Sequence, residues 1–462
     1  MNPFTNIFKL SLWDFGAKTA YFLAFIYLAR VLGVSSYGVL EFAISVLTYF
    51  LLIAEGGLEV WATREAAKTE DIPQLVSRII PLRFLFSGVA FLLLIALLPL
   101  LPPYPFLKLI LILFGLSLFV QAGNLKWVFM GKENMGMVGR GLALAQLVFA
   151  IGVFAFIRNP LEVYWVPVMK LFGDLIMAGY FARRFTLGFG ELNLRYRLEV
   201  RREVVGPALM MGTSQGLGLL NYNFDTLLLG LITGPMAVGL YNAAYRPVTM
   251  ALAMPLTYFI GLFPILSRLH KEGLEGFTEL VKRSLGLSSM VAFPLGVSGL
   301  FLSEPIVMLL FGQDYRESVP ALQVLVWSAV LVILRGTYRQ ALNAAGCQNL
   351  DLRCAATSAT LNVTLNVILI PRLGFIGAAI ATVIGDFVWL LMASIYFNRH
   401  VTKDGILKLV MKPFVASLVM SLSFLCLTAY HWMLQASVSG VIYCITLLFL
   451  GKSELRTWFF LR

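Results

Sequence analysis

Charge is scarce in this chain. Of its 462 residues, 13% are Asp, Glu, Lys or Arg, against roughly 25% in soluble globular domains, and mean hydropathy is +0.84. That balance excludes a water-soluble fold. Cysteine and histidine are scarcer still: Cys347, Cys354, Cys426 and Cys444 show no metal-ligand spacing and no secreted framework, and they read as small apolar fillers. The three histidines are scattered in or near expected loops. A phosphate-cradling Gly loop ending in Lys-Ser/Thr is missing, and so is H-E-x-x-H, so neither nucleotide-driven chemistry nor zinc hydrolysis is expected. Ten-residue segments of alternating polarity are missing too, which excludes a β-barrel. Gly212 to Gly216 has the G-x-S-x-G spacing, but it sits inside an apolar helical run instead of a strand–turn–helix elbow; close packing through small residues explains it. Asn362-Val363-Thr364 has the form of a glycosylation sequon, but it also falls within a span.

Long apolar runs fill the space these absences leave. At about 20 residues per crossing, they predict an all-α polytopic membrane protein with about 14 transmembrane helices, near 10–32, 37–60, 79–101, 106–130, 136–157, 161–182, 204–231, 236–266, 284–302, 319–343, 353–370, 375–397, 408–430 and 436–451. The N-terminal stretch has charges within its apolar run and no small-residue cleavage pattern, so it reads as a retained first helix. Basic residues gather in alternate loops, among them Arg64, Lys68, Arg78 and Arg83, then Arg195, Arg197 and Arg201, then Lys282, Arg283, Arg353 and Lys403. By the positive-inside rule both termini are cytoplasmic. The net charge of +12 is then topology, with a modest pull toward anionic lipid and no nucleic-acid partner.

The chain is organised around Asn221 to Leu269, two apolar arms joined at Gly234 and Pro235. The outline occurs already in Ala29 to Thr63, and LVSR at Leu75–Arg78 returns as LVKR at Leu280–Arg283. The chain is therefore read as a duplication with two parallel six-helix lobes, 1–190 and 191–400, followed by helices 13 and 14 with a short tail in 401–462. An even number of spans per copy gives both copies the same orientation.

Charges inside spans cost roughly 2.5 to 3.5 kcal/mol on insertion scales and mark functional candidates. Asp14 with Lys18, and Lys170 with Asp174, are spaced i, i+4 on one helix face, which local neutralisation would also explain. Arg30, Asp225, Arg246 and Asp386 have no opposite charge one turn away on their own helix. Arg246 precedes Pro247, which bends the helix. A guanidinium fork at a bend suits a phosphate, so an anionic substrate is expected, with structural pairing of Arg246 to an acid as the alternative. Arg335 and Arg339 sit near a helix end and read as topological; Glu41, Glu55 and Glu59 could share the cavity.

Several motifs now resemble one family: D-T-L-L-L-G-x-x-x-G-x-x-x-V-G-L-Y-x-A-A-Y from Asp225 to Tyr245, F-P-I-L-S-R from Phe263 to Arg268, A-R-V-L-G-x-x-x-Y-G from Ala29 to Gly38, L-F-G-Q-D-Y from Leu310 to Tyr315 and G-F-I-G-A-A-I-A-T from Gly374 to Thr382. As a set they resemble the polysaccharide-transport family of the multidrug/oligosaccharidyl-lipid/polysaccharide exporter superfamily. The resemblance implies a non-enzymatic flippase in the inner membrane, moving undecaprenyl-pyrophosphate-linked oligosaccharide by alternating access. Polysaccharide polymerase and glycosyltransferases are the implied partners. It further implies substrate binding by Arg246, Arg30, Lys18 and Lys170. Ion coupling, to Na⁺ or H⁺ and with no other cofactor, would use Asp225, Asn362, Asn366, Ala378 and Thr382. Asn366 stands where related lipid II flippases are expected to carry a second carboxylate, and a polar seam between helices would use the same residues. A cation-coupled drug exporter of the same superfamily and a membrane polymerase or ligase are the competing readings.

Overall fold

A computed structural model describes residues 3–190, 202–401 and 407–459, and among these none lies in a β-strand. The basic residues Arg195, Arg197, Arg201 and Lys403, the end of the C-terminal tail and the side chain of Asp14 fall outside what it describes. The helices are α1 (Pro3–Glu55), α2 (Leu58–Lys68), α3 (Ile72–Leu97), α4 (Leu107–Ala122), α5 (Lys126–Gly131), α6 (Met135–Phe156), α7 (Trp165–Phe189), α8 (Arg202–Ile232), α9 (Pro235–Glu272), α10 (Leu274–Leu310), α11 (Val319–Ala344), α12 (Gln348–His400), α13 (Leu407–Cys426) and α14 (Trp432–Phe459). Two of them are hairpins in disguise. Gly33 (φ 71°) breaks α1 and Gly374 (φ 57°) breaks α12, in a region of backbone space that L side chains avoid. Dividing α1 and α12 there yields fourteen helical segments, the number of crossings expected, beside the short helices α2 and α5.

Two expected spans end early. The span expected at 37–60 stops at Glu55, where Gly56 and Gly57 turn left-handed, and the one expected at 106–130 stops at Ala122 before the separate α5. Glu59 therefore lies beyond a break. Basic residues expected in loops, such as Arg64, Arg78, Arg283 and Arg353, lie on helices. A helix leaving the apolar core keeps its own hydrogen-bond ladder, so it can continue into water with charged side chains. Its start is then set by capping: Asp71 accepts from the Gln74 amide at 3.0 Å with Pro73 in the first turn, and Asn134 accepts from the Met137 amide at 3.3 Å. Between α6 and α7, Glu162 accepts from the backbone amides of Arg158 (2.6 Å) and Asn159 (3.3 Å), and the first of these bonds holds its carboxyl below the usual range.

Packing divides the chain into residues 1–242 and 243–462. This falls later than the repeat boundary because α8 packs on α1 and α2. In the first unit α1 packs on α3, α4 and α6, and an aromatic core of Trp127, Phe129, Phe181 and Phe185 joins α5 to α7. In the second unit α11 lies between α10 and α12, while α13 and α14 pack on α10. Tyr443 anchors α14 there by donating to the Met290 carbonyl at 2.8 Å, and Phe301 stacks on Phe424. The outer surface is apolar, with Leu92, Ile151 and Phe449 among its exposed side chains, as hydrocarbon requires.

The two hairpin turns of the duplication meet within the first unit. A Cβ on Gly38 would overlap the Pro235 carbonyl, and a Cβ on Gly239 would overlap the Val34 carbonyl. Val34 and Pro235, like Gly38 and Gly239, occupy equivalent positions in the repeat, so the contact is reciprocal. Gly33 and Gly234, which precede the pair, both have positive φ.

Candidate functional site

In the first unit, the initial arm of α1 carries Lys18 and Arg30 within the apolar span Phe15–Glu55, and both side chains are exposed. Helix α7 brings Lys170 to Asp174, with Nζ at 2.6 and 2.7 Å from the two carboxylate oxygens. That pair lines an internal cavity of about 190 Å³ together with Tyr21, Thr48 and Gln121. Lys170 therefore faces a cavity, but the neutralising partner on its own helix holds its charge. The spacing i, i+4 made this pairing visible beforehand.

Asp225 is buried in α8 and accepts from the Tyr241 hydroxyl of α9 at 2.7 Å; at the next residue of each helix, the Asn242 amide donates to the Thr226 hydroxyl at 3.3 Å. In the second unit the two arms of α12 carry the other four ion-coupling candidates. Asn366 donates to Asn362 at 3.0 Å on the first arm, and Thr382 donates to the Ala378 carbonyl at 3.0 Å on the second. The Ser358 hydroxyl bonds the Gly385 carbonyl at 2.9 Å and holds the arms together. Asn362, Asn366 and Thr382 are all buried. Their oxygens form a donor set of the kind a hard cation takes. Arg246 lies in α9 eleven residues beyond Pro235, half-buried and directly before Pro247; at 1.5 Å per residue it is about 17 Å along the helix, near the middle of a ~30 Å core.

Two charged clusters escaped the sequence reading. Arg83, expected in a loop, is 2% exposed in α3 and donates to the carbonyls of Asn124 (2.9 Å) and Gln121 (2.7 Å) at the end of α4. It also lies 3.7 Å from Glu59, which Lys126 meets at 2.7 Å. Glu59 is thus committed to a structural network. Arg83 caps a helix terminus that would otherwise end with unsatisfied carbonyls. Losing one partner of such a buried pair costs about 3–5 kcal/mol, so Arg83→Ala should lower the thermal unfolding midpoint and the membrane level sharply, with Arg83→Lys in between. Fluorescence-detected chromatography of tagged variants would check this, and wild-type stability in Arg83→Ala would sink it. The second cluster is Arg335 with Asp386: Arg335, expected to be topological, is buried and pairs across helices at 3.2 Å. Their positions inside apolar runs were the available signal; the partners were not readable, because they lie on different helices.

Residues 4–270 match the family model described as polysaccharide biosynthesis protein, and residues 142–449 match that of the lipid II flippase MurJ. An uncharacterized membrane protein of Methanocaldococcus jannaschii is 30% identical over 65% of this chain and 61% of its own length. A probable flippase of Haloferax volcanii, AglR, is 30% identical over 37% of each chain, and a putative O-antigen transporter of Escherichia coli is 26% identical over 68% of this chain and 77% of its own. The chain thus spans less than two thirds of the first two. Among solved structures, the lipid II flippase MurJ in an inward closed conformation has a TM-score of 0.78 at 15% identity, over 97% of this chain and 99% of that one. A multidrug resistance transporter of the MATE family, in an inward-facing conformation, has a TM-score of 0.70 at 15% identity, over 83% of this chain and 94% of that one. Both show a shared all-helical fold.

Proposed function

Because the chain belongs to the polysaccharide biosynthesis protein family and matches the lipid II flippase MurJ family model over residues 142–449, we propose that it turns over an oligosaccharide carried on undecaprenyl pyrophosphate. The site would be exposed to the two faces of the inner membrane in turn. The observation that carries this reading is the pair of exposed cations Lys18 and Arg30 inside an apolar span. Arg30, three residues before the Gly33 turn, can also snorkel to the interface; Lys18 lies deeper along the arm, where lipid would cost kcal/mol and a hydrated space removes that cost. Cations in such a space select an anionic headgroup, and a pyrophosphate offers oxygens that a guanidinium, Arg30 in the first unit or Arg246 in the second, can grip by forked hydrogen bonds. Lys170, already paired with Asp174, adds field more than contact. The isoprenoid tail stays in the bilayer, so the protein needs to shelter the sugar and the phosphates alone. Both termini are cytoplasmic in this reading, which puts loading on the side where nucleotide sugars are used, with glycosyltransferases before it and a polymerase after it.

Coupling to Na⁺ or H⁺ is proposed for Asp225 in the first unit and for Asn362, Asn366, Ala378 and Thr382 in the second, on the strength of the oxygen donors and burial found within each unit. Reconstituted protein supplied with lipid-linked oligosaccharide tests the activity, reading sugar exposure with a non-permeant lectin. No movement of any pyrophosphate-linked lipid would end the proposal. Asp225→Asn should abolish the response of the flipping rate to an imposed ion gradient while the expression level stays near wild type; a gradient response equal to wild type would remove Asp225 from coupling.

A further inference from the structure

The second unit holds a ladder of charges that the functions assigned above do not use. Ser328, Arg335, Arg339 and Asn343 recur along one stripe of α11 at spacings of about two, one and one turns. Each meets the carboxylate ladder of α12. Arg335 Nη2 is 3.2 Å from Asp386 Oδ1, and the Ser328 hydroxyl donates to Asp386 Oδ2. Arg339 Nε and Asn343 Nδ2 both donate to Asp351 Oδ2, at 3.2 and 3.3 Å. One indole joins the pairs: the guanidinium carbon of Arg335 lies 3.8 Å from the Trp389 ring centroid, and that of Arg339 lies 5.7 Å away.

Exposure grades along the ladder. Side-chain exposure is 52% at Arg339, near the Ala344 end of α11, and falls to 5% at Arg335 and 12% at Asp386. Asp386 is twelve residues past the Gly374 turn, about 18 Å along its arm and so close to the middle of a ~30 Å core. The ladder thus runs from water to the depth where a carboxylate is least tolerable. Asp351 Oδ1 and Trp389 Nε1 are buried without a protein partner, so hydrogen-bonding capacity remains along the lane for water.

We propose that Asp386 is a proton-binding carboxyl reached from the Ala344 end of α11 past Asp351 and Arg339, and that Arg335 is the charge whose position follows its protonation. The step is simple: one oxygen of the carboxylate takes one proton from a hydronium in the lane, an O–H bond forming as the hydronium O–H breaks and leaves water. The pair passes from neutral to a net charge of +1. Protonation removes the Asp386 charge beside Arg335, and the contact of Arg335 with the Trp389 face is sensitive to where the guanidinium sits. The surroundings offer Asp386 little else. Ser328 and Arg335 act on it from α11. The first arm of α12 contributes Ser358, bonded to the neighbouring Gly385 carbonyl, and α10 meets α11 through Ser284 and Ser288 at Thr337. Asp351, Arg339 and Tyr338 lie toward the Ala344 end.

This proton site goes beyond the Asp225 assignment, and its test does not depend on substrate. The emission of Trp389 is obtained in full-length protein in nanodiscs as the difference between wild type and Trp389→Phe, and followed from acid to alkaline pH. We expect a one-proton transition in that difference, lost in Asp386→Asn and retained at a displaced pH in Asp386→Glu. A Trp389 difference signal that does not change with pH overturns the proposal, even if neither Asp386 variant folds. The same transition surviving in Asp386→Asn overturns it as well. Because no lipid-linked sugar is present, the outcome stands whether or not the protein proves to be a flippase.

Discussion

Arg246→Ala is expected to abolish flipping of a pyrophosphate-linked oligosaccharide while the protein still reaches the membrane at its normal level. The separation of the two effects follows from where the residue lies. Arg246 is half-buried near the middle of α9, so replacing it with alanine removes an insertion cost of roughly 2.5 to 3.5 kcal/mol and should not impair folding in lipid. Binding behaves in the opposite way. Truncating one partner of a desolvated, hydrogen-bonded charge pair costs about 2–5 kcal/mol, which at 1.4 kcal/mol per decade is a loss of about 30-fold to well over 1,000-fold. Arg246→Lys keeps the charge but loses the planar fork, so it should fall between. Initial flipping rates in proteoliposomes, normalised to reconstituted protein, measure this. A rate for Arg246→Ala within a factor of about two of wild type would remove Arg246 from the site.

Arg246 could be proposed from the sequence because its signal is local: a charge next to a proline in an apolar run. The same holds for Lys170 and Asp174, whose pairing is fixed by the pitch of one helix. The spans were legible from apolar runs, and the turns at Gly33 and Gly374 from glycine between them. What was not legible depended on neighbours far along the chain. Arg83 looks the same in sequence whether it faces water or the carbonyls of Gln121 and Asn124; only the packing of α3 on α4 decides. Arg335 was read as topological for the same reason, since Asp386 belongs to another helix. The breaks at Gly56 and Ala122 were hidden by apolar residues that continue past the end of the span into α2 and α5.

Substituting Gly38 should matter as much as substituting Arg246, by a different route. The reciprocal contact places Gly38 on the Pro235 carbonyl and Gly239 on the Val34 carbonyl, so backbone touches backbone with no room for a methyl group. Such an approach is what small residues permit between membrane helices. Gly38→Val would force the hairpin turns apart. Overpacking costs about 1–3 kcal/mol where side chains can give way, and here the obstacle is main chain. A transporter whose facing states differ by only a few kcal/mol would lose the packed-turn state almost entirely under that penalty, since each 1.4 kcal/mol moves the ratio tenfold. Flipping should therefore fall by about tenfold or more. A cysteine at Val34, in a chain cleared of its four native cysteines, should react faster with an impermeant maleimide once Gly38→Val is added. If both the flipping rate and the labelling rate stay at wild-type values, the packed turns take no part in the cycle. A lost rate with unchanged labelling would instead place the fault in folding, because the turns would then still be closed.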